Sequence, residues 1–135
     1  MATLSADDAR QLAADFHELA VAIGHYRFDN WGQLSPALRS KLESSEWTLL
    51  RHSSDFSLQA MAITLSDIDA TLKNIKGATD EARKAIGRIR TVDRVIRIAS
   101  AATVLGAAIA NGNPNGITDA VRALYDEASS AKQAD

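Results

Sequence analysis

One uncharged segment, residues 98–110, restricts the folds open to this chain more than any other feature. It contains only Ala, Ile, Val, Leu, Ser, Thr and one Gly. As a helix rising ~1.5 Å per residue it spans about 20 Å, which is less than the ~30 Å hydrocarbon core of a bilayer. A helix that is apolar on every side is either fully buried or in contact with lipid. The segment therefore requires cover from the rest of the chain, from another protein or from a membrane.

Small residues repeat within this segment at a spacing of four. Such a ridge allows two helix backbones to approach closely. Three interpretations stay open: tight packing inside one chain, self-association, and membrane insertion. The residues predicted to form this self-association or membrane segment are Ile98, Ala102, Val104, Leu105, Gly106, Ile109 and Ala110.

A basic stripe precedes the apolar segment. Residues 73–97 carry a net charge of +5, whereas the whole chain carries −2. On one continuous helix the five stripe residues would fall within a sector of about 60°. Such a face is solvated, or it binds an acidic partner or an anionic membrane; nucleic acid is disfavoured because no aromatics are interleaved with the cations. The stripe consists of Lys76, Arg83, Arg90, Arg94 and Arg97.

Hydrophobic periodicity and helix-capping residues predict an all-α fold. We expect one domain over residues 1–135, with a frayed tail from about residue 130. The architecture expected is an antiparallel bundle of about four helices with two long central ones. The predicted helices are roughly 5–27, 36–76 with an interruption near 51–55 left open, 79–111 and 117–132.

Within the second predicted helix, apolar residues repeat with heptad spacing, which is typical of a packed helix seam. This seam is a second candidate surface for docking a partner helix. Its members are Leu58, Met61, Leu65, Ile68, Leu72 and Ile75.

The sequence offers little that could carry catalysis. Cysteine is absent, and we find neither a nucleophile elbow nor a phosphate-binding glycine loop. His25 with Asp29, and His52 with Asp55, have helical spacing, but a di-metal bundle requires further inward-facing carboxylates. We therefore predict a protein that is not an enzyme and that uses no metal and no cofactor.

The two tryptophans have different expected roles. Trp47 is predicted to pack in the core, whereas Trp31 lies in a loop and either caps the bundle or forms an exposed interface anchor. The acidic, polar start of the sequence shows no signal peptide, so we expect a cytoplasmic location, with signal-independent secretion left open.

These features predict a non-enzymatic helical bundle that acts through protein–protein association. Self-association or a helical partner would bury residues 98–110. The alternative is a membrane-active, pore-former-like helical protein. In that case the arginines of residues 83–97 would contact anionic headgroups and residues 98–110 would insert.

Overall fold

The computed structural model describes residues 2–58, 64–65, 67–88 and 91–134. Over these ranges the protein is all-α apart from one two-residue strand pair, in which Ala2 pairs with Leu65 and Thr3 with Thr64. The elements in chain order are β1 (Ala2–Thr3), α1 (Ala6–Asp29), a 3-10 turn (Trp31–Gln33), α2 (Pro36–Leu58), β2 (Thr64–Leu65), α3 (Ile68–Ile86), α4 (Val92–Asn111) and α5 (Pro114–Ala134).

Side-chain caps define where several helices begin. The Ser5 hydroxyl accepts a hydrogen bond from the Asp8 backbone N–H at 3.0 Å, and the Asp67 carboxylate accepts one from Ala70 at 3.2 Å. Each satisfies a backbone donor that lacks a partner within its helix. At its C-terminal end α4 stops at Gly112, whose φ of 67° lies in the left-handed region that glycine adopts without strain.

Side-chain contacts define the relative directions of the first three helices. α1 and α2 form an antiparallel hairpin, since Ser53 donates to the Ala13 carbonyl at 2.7 Å while Arg27, farther along α1, pairs with the earlier Glu46. α3 runs in the same direction as α1, because Lys76 lies 3.7 Å from Asp15 and Arg83 lies 3.8 Å from Glu18.

One hydrophobic core joins all five helices. Its largest fully buried side chains come from both halves of the chain, so that α2 and α4 pack on a shared interior with α1. These residues are Phe16, Phe56, Leu12, Leu19, Ile23, Leu42, Leu49, Ile75, Ile98, Leu105, Ile109 and Leu124.

The prediction of about four helices with two long central ones is wrong. The described residues form five helices of similar length, from 19 residues in α3 to 24 in α1. The predicted helix 36–76 is two helices, and its break lies after Leu58 rather than at 51–55. The polar 51–55 stretch stays helical because His52 packs against Phe56 and Ser53 bonds to α1.

The predicted helix 79–111 is also divided, between Ile86 and Val92. Thr79, expected to begin that helix, is buried within α3, where its hydroxyl donates to the Lys76 carbonyl at 3.1 Å. Gly77, expected to end the preceding helix, lies within α3 as well.

The last helix begins at Pro114, earlier than predicted. The Asn113 side-chain oxygen accepts from the backbone N–H groups of Asn115 and Gly116 at 3.1 and 3.2 Å. Asparagine at the cap followed by proline at the first helical position is a favoured start. α5 then continues to Ala134, beyond residue 130, where fraying was expected.

The heptad seam does not form one helical face. Leu58 is exposed at the end of α2, Leu65 belongs to β2, and Ile68, Leu72 and Ile75 lie on α3. Met61 lies outside the described residues. The seam therefore offers no continuous surface to a partner helix.

Candidate interaction surface

Most of the exposed large hydrophobic side chains lie on the hairpin of α1 and α2. Among the described residues seven such side chains are exposed, and Val104 and Tyr125 are the two outside the hairpin. Several large exposed apolar side chains on two neighbouring helices are typical of an interaction site. We define the hairpin face as Val21, Phe28, Trp31, Trp47 and Leu58.

Helical spacing aligns these residues in pairs on the solvent-facing side of their own helix. Val21 and Phe28 are seven residues apart on α1, and Trp47 and Leu58 are eleven apart on α2. At about 100° per residue, each pair lies within roughly 20° on its helix. Trp47 is 63% exposed and Leu58 80% exposed, so the outer side of α2 carries two large apolar groups that its own chain leaves uncovered.

Phe28 and Trp31 form a stacked pair at the turn of the hairpin. Their ring centroids are 6.2 Å apart with an interplanar angle of 16°. The Arg39 guanidinium carbon lies 4.4 Å from the Trp31 ring centroid, and that of Arg27 lies 4.8 Å from the Phe28 centroid. These cation–π contacts hold the rings in place while Phe28 remains 64% exposed.

An ion pair beneath the rings orients Arg27. Its Nε lies 2.5 Å from Glu46 Oε2, and its Nη1 lies 3.9 Å from Glu43. The hydrogen bond from Arg27 to Glu46 raises the pKa of Arg27 above its usual value. Gly24 makes room for this pair, since a β-carbon there would lie 2.8 Å from Glu46 Oε1.

The composition of the hairpin face matches that of energetically important interface residues. Tryptophan and arginine are enriched at the centres of protein–protein interfaces, where rigid aromatic rings bury large areas with little loss of side-chain entropy. Rings already fixed by stacking and by arginine lose still less freedom on binding.

The structure places the two tryptophans differently from the sequence-based interpretation. The prediction that Trp47 packs in the core is wrong: it lies on the α2 side opposite Leu42 and Leu49, which are fully buried. Trp31, for which a capping role and an exposed role were both open, contacts Phe28 and Arg39 and remains exposed. Its 3-10 turn joins α1 to α2.

The apolar segment 98–110 is largely covered by the chain's own helices. The side of α4 that packs inward includes five of the seven residues predicted for association or insertion: Ile98, Ala102, Leu105, Gly106 and Ile109. The other two are accessible, with Val104 60% exposed and Ala110 also exposed. The segment looks apolar on every side in the sequence because alanine counts as apolar. Exposing an alanine to solvent nevertheless costs little free energy.

Gly106 has a specific packing partner in α2. A β-carbon at Gly106 would lie 2.0 Å from Nδ1 of His52. The His52 ring also stacks on Phe56, with centroids 6.0 Å apart, and meets Phe16 edge-on at 6.2 Å. The ridge of small residues thus includes a close contact between α4 and α2 of one chain.

The basic stripe is divided between two helices. Lys76 and Arg83 lie on α3, where both form ion pairs with α1 and with Asp80. Arg94, half-buried, and Arg97, exposed, lie on α4. Arg90 lies outside the described residues. The single 60° sector therefore does not exist, because α3 and α4 are separate helices.

A cleft between α1 and α3 contains a buried carboxylate that sequence reasoning did not single out. Asp15 is 5% exposed, accepts a hydrogen bond from the Gln11 side chain at 2.9 Å, and lies 3.7 Å from the Lys76 ammonium. Burial raises the pKa of Asp15 above its usual value, and the hydrogen bond and Lys76 oppose that shift. The sequence did contain a signal for the burial of Asp15, because this residue lies beside Leu12 and Phe16 in the apolar helical pattern.

A groove of about 420 Å³ lies between α3 and α5. Gly77 forms part of its floor, and a β-carbon there would meet nothing within 4 Å. Lys73, Arg122 and Tyr125 border it, and all three are exposed. The groove is shallow and its polar groups are solvated, so it holds no preformed polar site.

The described residues contain no group of three or more histidines and carboxylates arranged to bind a metal ion. None of the described helices combines the length and the hydropathy needed to cross a bilayer. Comparisons of the chain with protein-family models, with characterised proteins and with solved structures found no significant match.

Proposed function

We propose that this protein is a non-enzymatic helical bundle that acts through protein–protein association at the hairpin face. The observation that carries the proposal is the exposure of Phe28, Trp31 and Trp47 on the hairpin, the first two beside an arginine that is already fixed by Glu46. The chain has seven aromatic residues among Phe, Trp and Tyr, and exposing three of them on one hairpin leaves much apolar area in contact with water.

This assignment moves the association surface away from residues 98–110. Five of the seven residues considered there are already buried within the chain and have no area left to offer a partner. Val104 alone is an isolated exposed apolar residue, which is ordinary on a protein surface. The hairpin face offers several large side chains on adjacent helices.

Charged groups of both signs accompany the aromatic residues of this surface. Asp29 is exposed beside Phe28, and Glu43 and Arg51 are exposed one helical turn to either side of Trp47. At a protein interface such groups form a polar rim around an apolar centre.

Site-specific photo-crosslinking tests this proposal. Benzoylphenylalanine is introduced at position 28, 47, 104 or 125, one at a time, in cells that produce the protein. We expect protein adducts from positions 28 and 47. Position 125 is the matched control, because Tyr125 is an exposed aromatic outside the hairpin. Position 104 tests the surface at residues 98–110.

Two further results bear on the proposal. Adding Trp47→Glu should abolish the adduct formed from position 28, since both residues would contact the same partner. The proposal fails if positions 28 and 47 crosslink no more protein than position 125. It also fails if they label only phospholipid when purified protein is mixed with phosphatidylglycerol vesicles, an outcome that would favour the membrane-active alternative.

A further inference from the structure

The charges on the outer side of α2 are arranged symmetrically about Trp47. Glu43 precedes Trp47 by four residues and Arg51 follows it by four. At about 100° per residue each lies roughly 40° from Trp47 on the helix, one toward either end. Both side chains are exposed. The two charges lie on opposite flanks of Trp47, so turning the helix end for end about Trp47 exchanges the position of the acid with that of the base.

From this arrangement we propose that the partner of the hairpin face is a second copy of this chain, docked with its α2 antiparallel to the first. The proposal rests on the association function proposed above and adds the identity of the partner. A two-fold axis between the two Trp47 residues brings Glu43 of each copy to the same height along the helix as Arg51 of the other, diagonally across the pair of helices, and sets the two Trp47 rings against each other. An isologous interface of this kind requires a self-complementary surface.

The same axis matches the residues farther along α2. Position 40 falls opposite position 54, and both are serine. Position 36 falls opposite position 58, which pairs Pro36 with Leu58. All four residues are exposed and lie within roughly 20° of Trp47 on the helix. Every pair is compatible in polarity, so the outer side of α2 contains no position that opposes the docking.

The two charged groups are available for contacts between copies. Within the ranges that the structure describes, Arg51 forms no ion pair. Glu43 makes one long contact of 3.9 Å with Arg27, whose closer partner is Glu46 at 2.5 Å. Arg27 therefore stays paired when Glu43 turns toward a second copy.

Charge reversal tests the docking geometry. Glu43→Arg alone would set two guanidinium groups against each other, and Arg51→Glu alone would set two carboxylates together. Each variant should weaken self-association by at least about tenfold, because like charges facing each other at an interface are costly. An equimolar mixture of the two variants restores opposite-charge pairing between copies. It should form a heterodimer with twice the 14.5 kDa chain mass, measured by sedimentation velocity.

Matched controls carry the same charge changes elsewhere. Arg122→Glu and Asp119→Arg alter exposed residues of α5, so each should dimerise like the unaltered chain. Recovery in the mixture also shows that the single variants are folded. The double variant Glu43→Arg with Arg51→Glu should dimerise with itself, because the charge pattern is reversed but still complementary.

Tryptophan fluorescence provides a second readout. Trp31→Phe leaves Trp47 as the single tryptophan of the chain, and its emission should shift to shorter wavelength as protein concentration rises. The proposal is overturned if the purified chain remains a monomer at 200 μM, or if the mixed variants associate no better than either alone. If crosslinks at positions 28 and 47 nevertheless form to another protein in cells, the association function stands and only the self-partner is rejected.

Discussion

His52 lies so close to Gly106 that a β-carbon at position 106 would stand 2.0 Å from its Nδ1. The contact joins the middle of α2 to the middle of α4, two helices that are otherwise separated in the sequence by α3. Nδ1 of His52 is also the one buried side-chain nitrogen or oxygen without a hydrogen-bond partner in the described part of the chain. A side chain larger than hydrogen at position 106 would therefore displace the His52 ring.

Gly106→Ala should destabilise the fold. The methyl group would overlap the imidazole ring, and relieving that overlap should cost about 1–3 kcal/mol in the free energy of unfolding, as overpacking typically does. Urea denaturation measures the change. Gly77→Ala is the matched control: its β-carbon meets nothing within 4 Å, so this helical substitution should stabilise by about 0.5–1 kcal/mol. Equal effects from both substitutions would refute the contact.

Stability should fall as the solution is acidified below the unfolded-state pKa of histidine, ~6.5. Burial lowers the pKa of His52, and Arg51 lowers it further, while Asp55 opposes the shift. The unfolded chain then binds a proton at a pH where the folded chain does not, so stability increases with pH across this window. Unfolding free energies at pH 7.5 and 5.5 measure the slope.

His52→Gln should flatten that slope, because glutamine does not titrate. His25→Gln serves as its control, since His25 is an exposed histidine of α1. If the pH dependence of the unfolding free energy persists in His52→Gln and disappears in His25→Gln, His25 causes it and the prediction is wrong.

Asp15→Asn should raise the stability at neutral pH. Because the pKa of Asp15 is raised in the folded chain, its stabilising contribution is present below the unfolded value near 3.9 and is lost as pH rises through the folded pKa. Asparagine keeps a hydrogen-bond acceptor for Gln11 and carries no charge. The advantage of the variant should therefore grow from pH 4 toward pH 7, measured by thermal unfolding.

Glu18→Gln is the control for that experiment, since Glu18 pairs with Arg83 at an exposed position. Its effect should stay within about 0.5 kcal/mol, as expected for a surface ion pair. If Asp15→Asn instead became more destabilising from pH 4 to pH 7, the Lys76 pair would outweigh the burial of the carboxylate.

Arg27→Ala should lower the free energy of unfolding and increase the mobility of the Phe28 and Trp31 rings that contact it. The side chains of Arg27 and Glu46 are both mostly buried, so removing the cation leaves a carboxylate short of a partner, at a cost of about 2–3 kcal/mol. Trp31 should also lose its restricted orientation, seen as lower fluorescence anisotropy in a Trp47→Phe background. Arg10→Ala is the control, because Arg10 pairs with Asp7 at a well-solvated position.

Local patterns predicted the helix starts that rest on one capping residue. Ser5 before two aspartates and the Ser35–Pro36 pair each specify a start without help from distant residues, and the structure begins α1 and α2 there. The division of the chain between α2 and α3 was missed for the opposite reason. The apolar residues from Leu58 to Ile75 keep helical spacing, although those that the structure describes belong to three separate elements.

Helical periodicity contained part of the information needed to locate the candidate surface. Trp47 follows Leu42 by five residues, which places it about 140° away on the helix, toward solvent. Its size nevertheless suggested a core position. His52 and Ser53 looked like an interruption because they are polar, yet His52 fits against Gly106 and Ser53 bonds to Ala13. Each contact joins two different helices, and the local pattern of a single sequence does not reveal which helices pack together.

The pairing of β1 with β2 has a consequence for the order of folding. Its residue pairs, Ala2 with Leu65 and Thr3 with Thr64, enclose the whole of α1 and α2 in one loop of chain. During synthesis β1 has no strand partner until residues 64–65 have left the ribosome. Closing a loop of that length also costs entropy before any pairing energy returns. We therefore expect the hairpin of α1 and α2 to form before β1 pairs with β2.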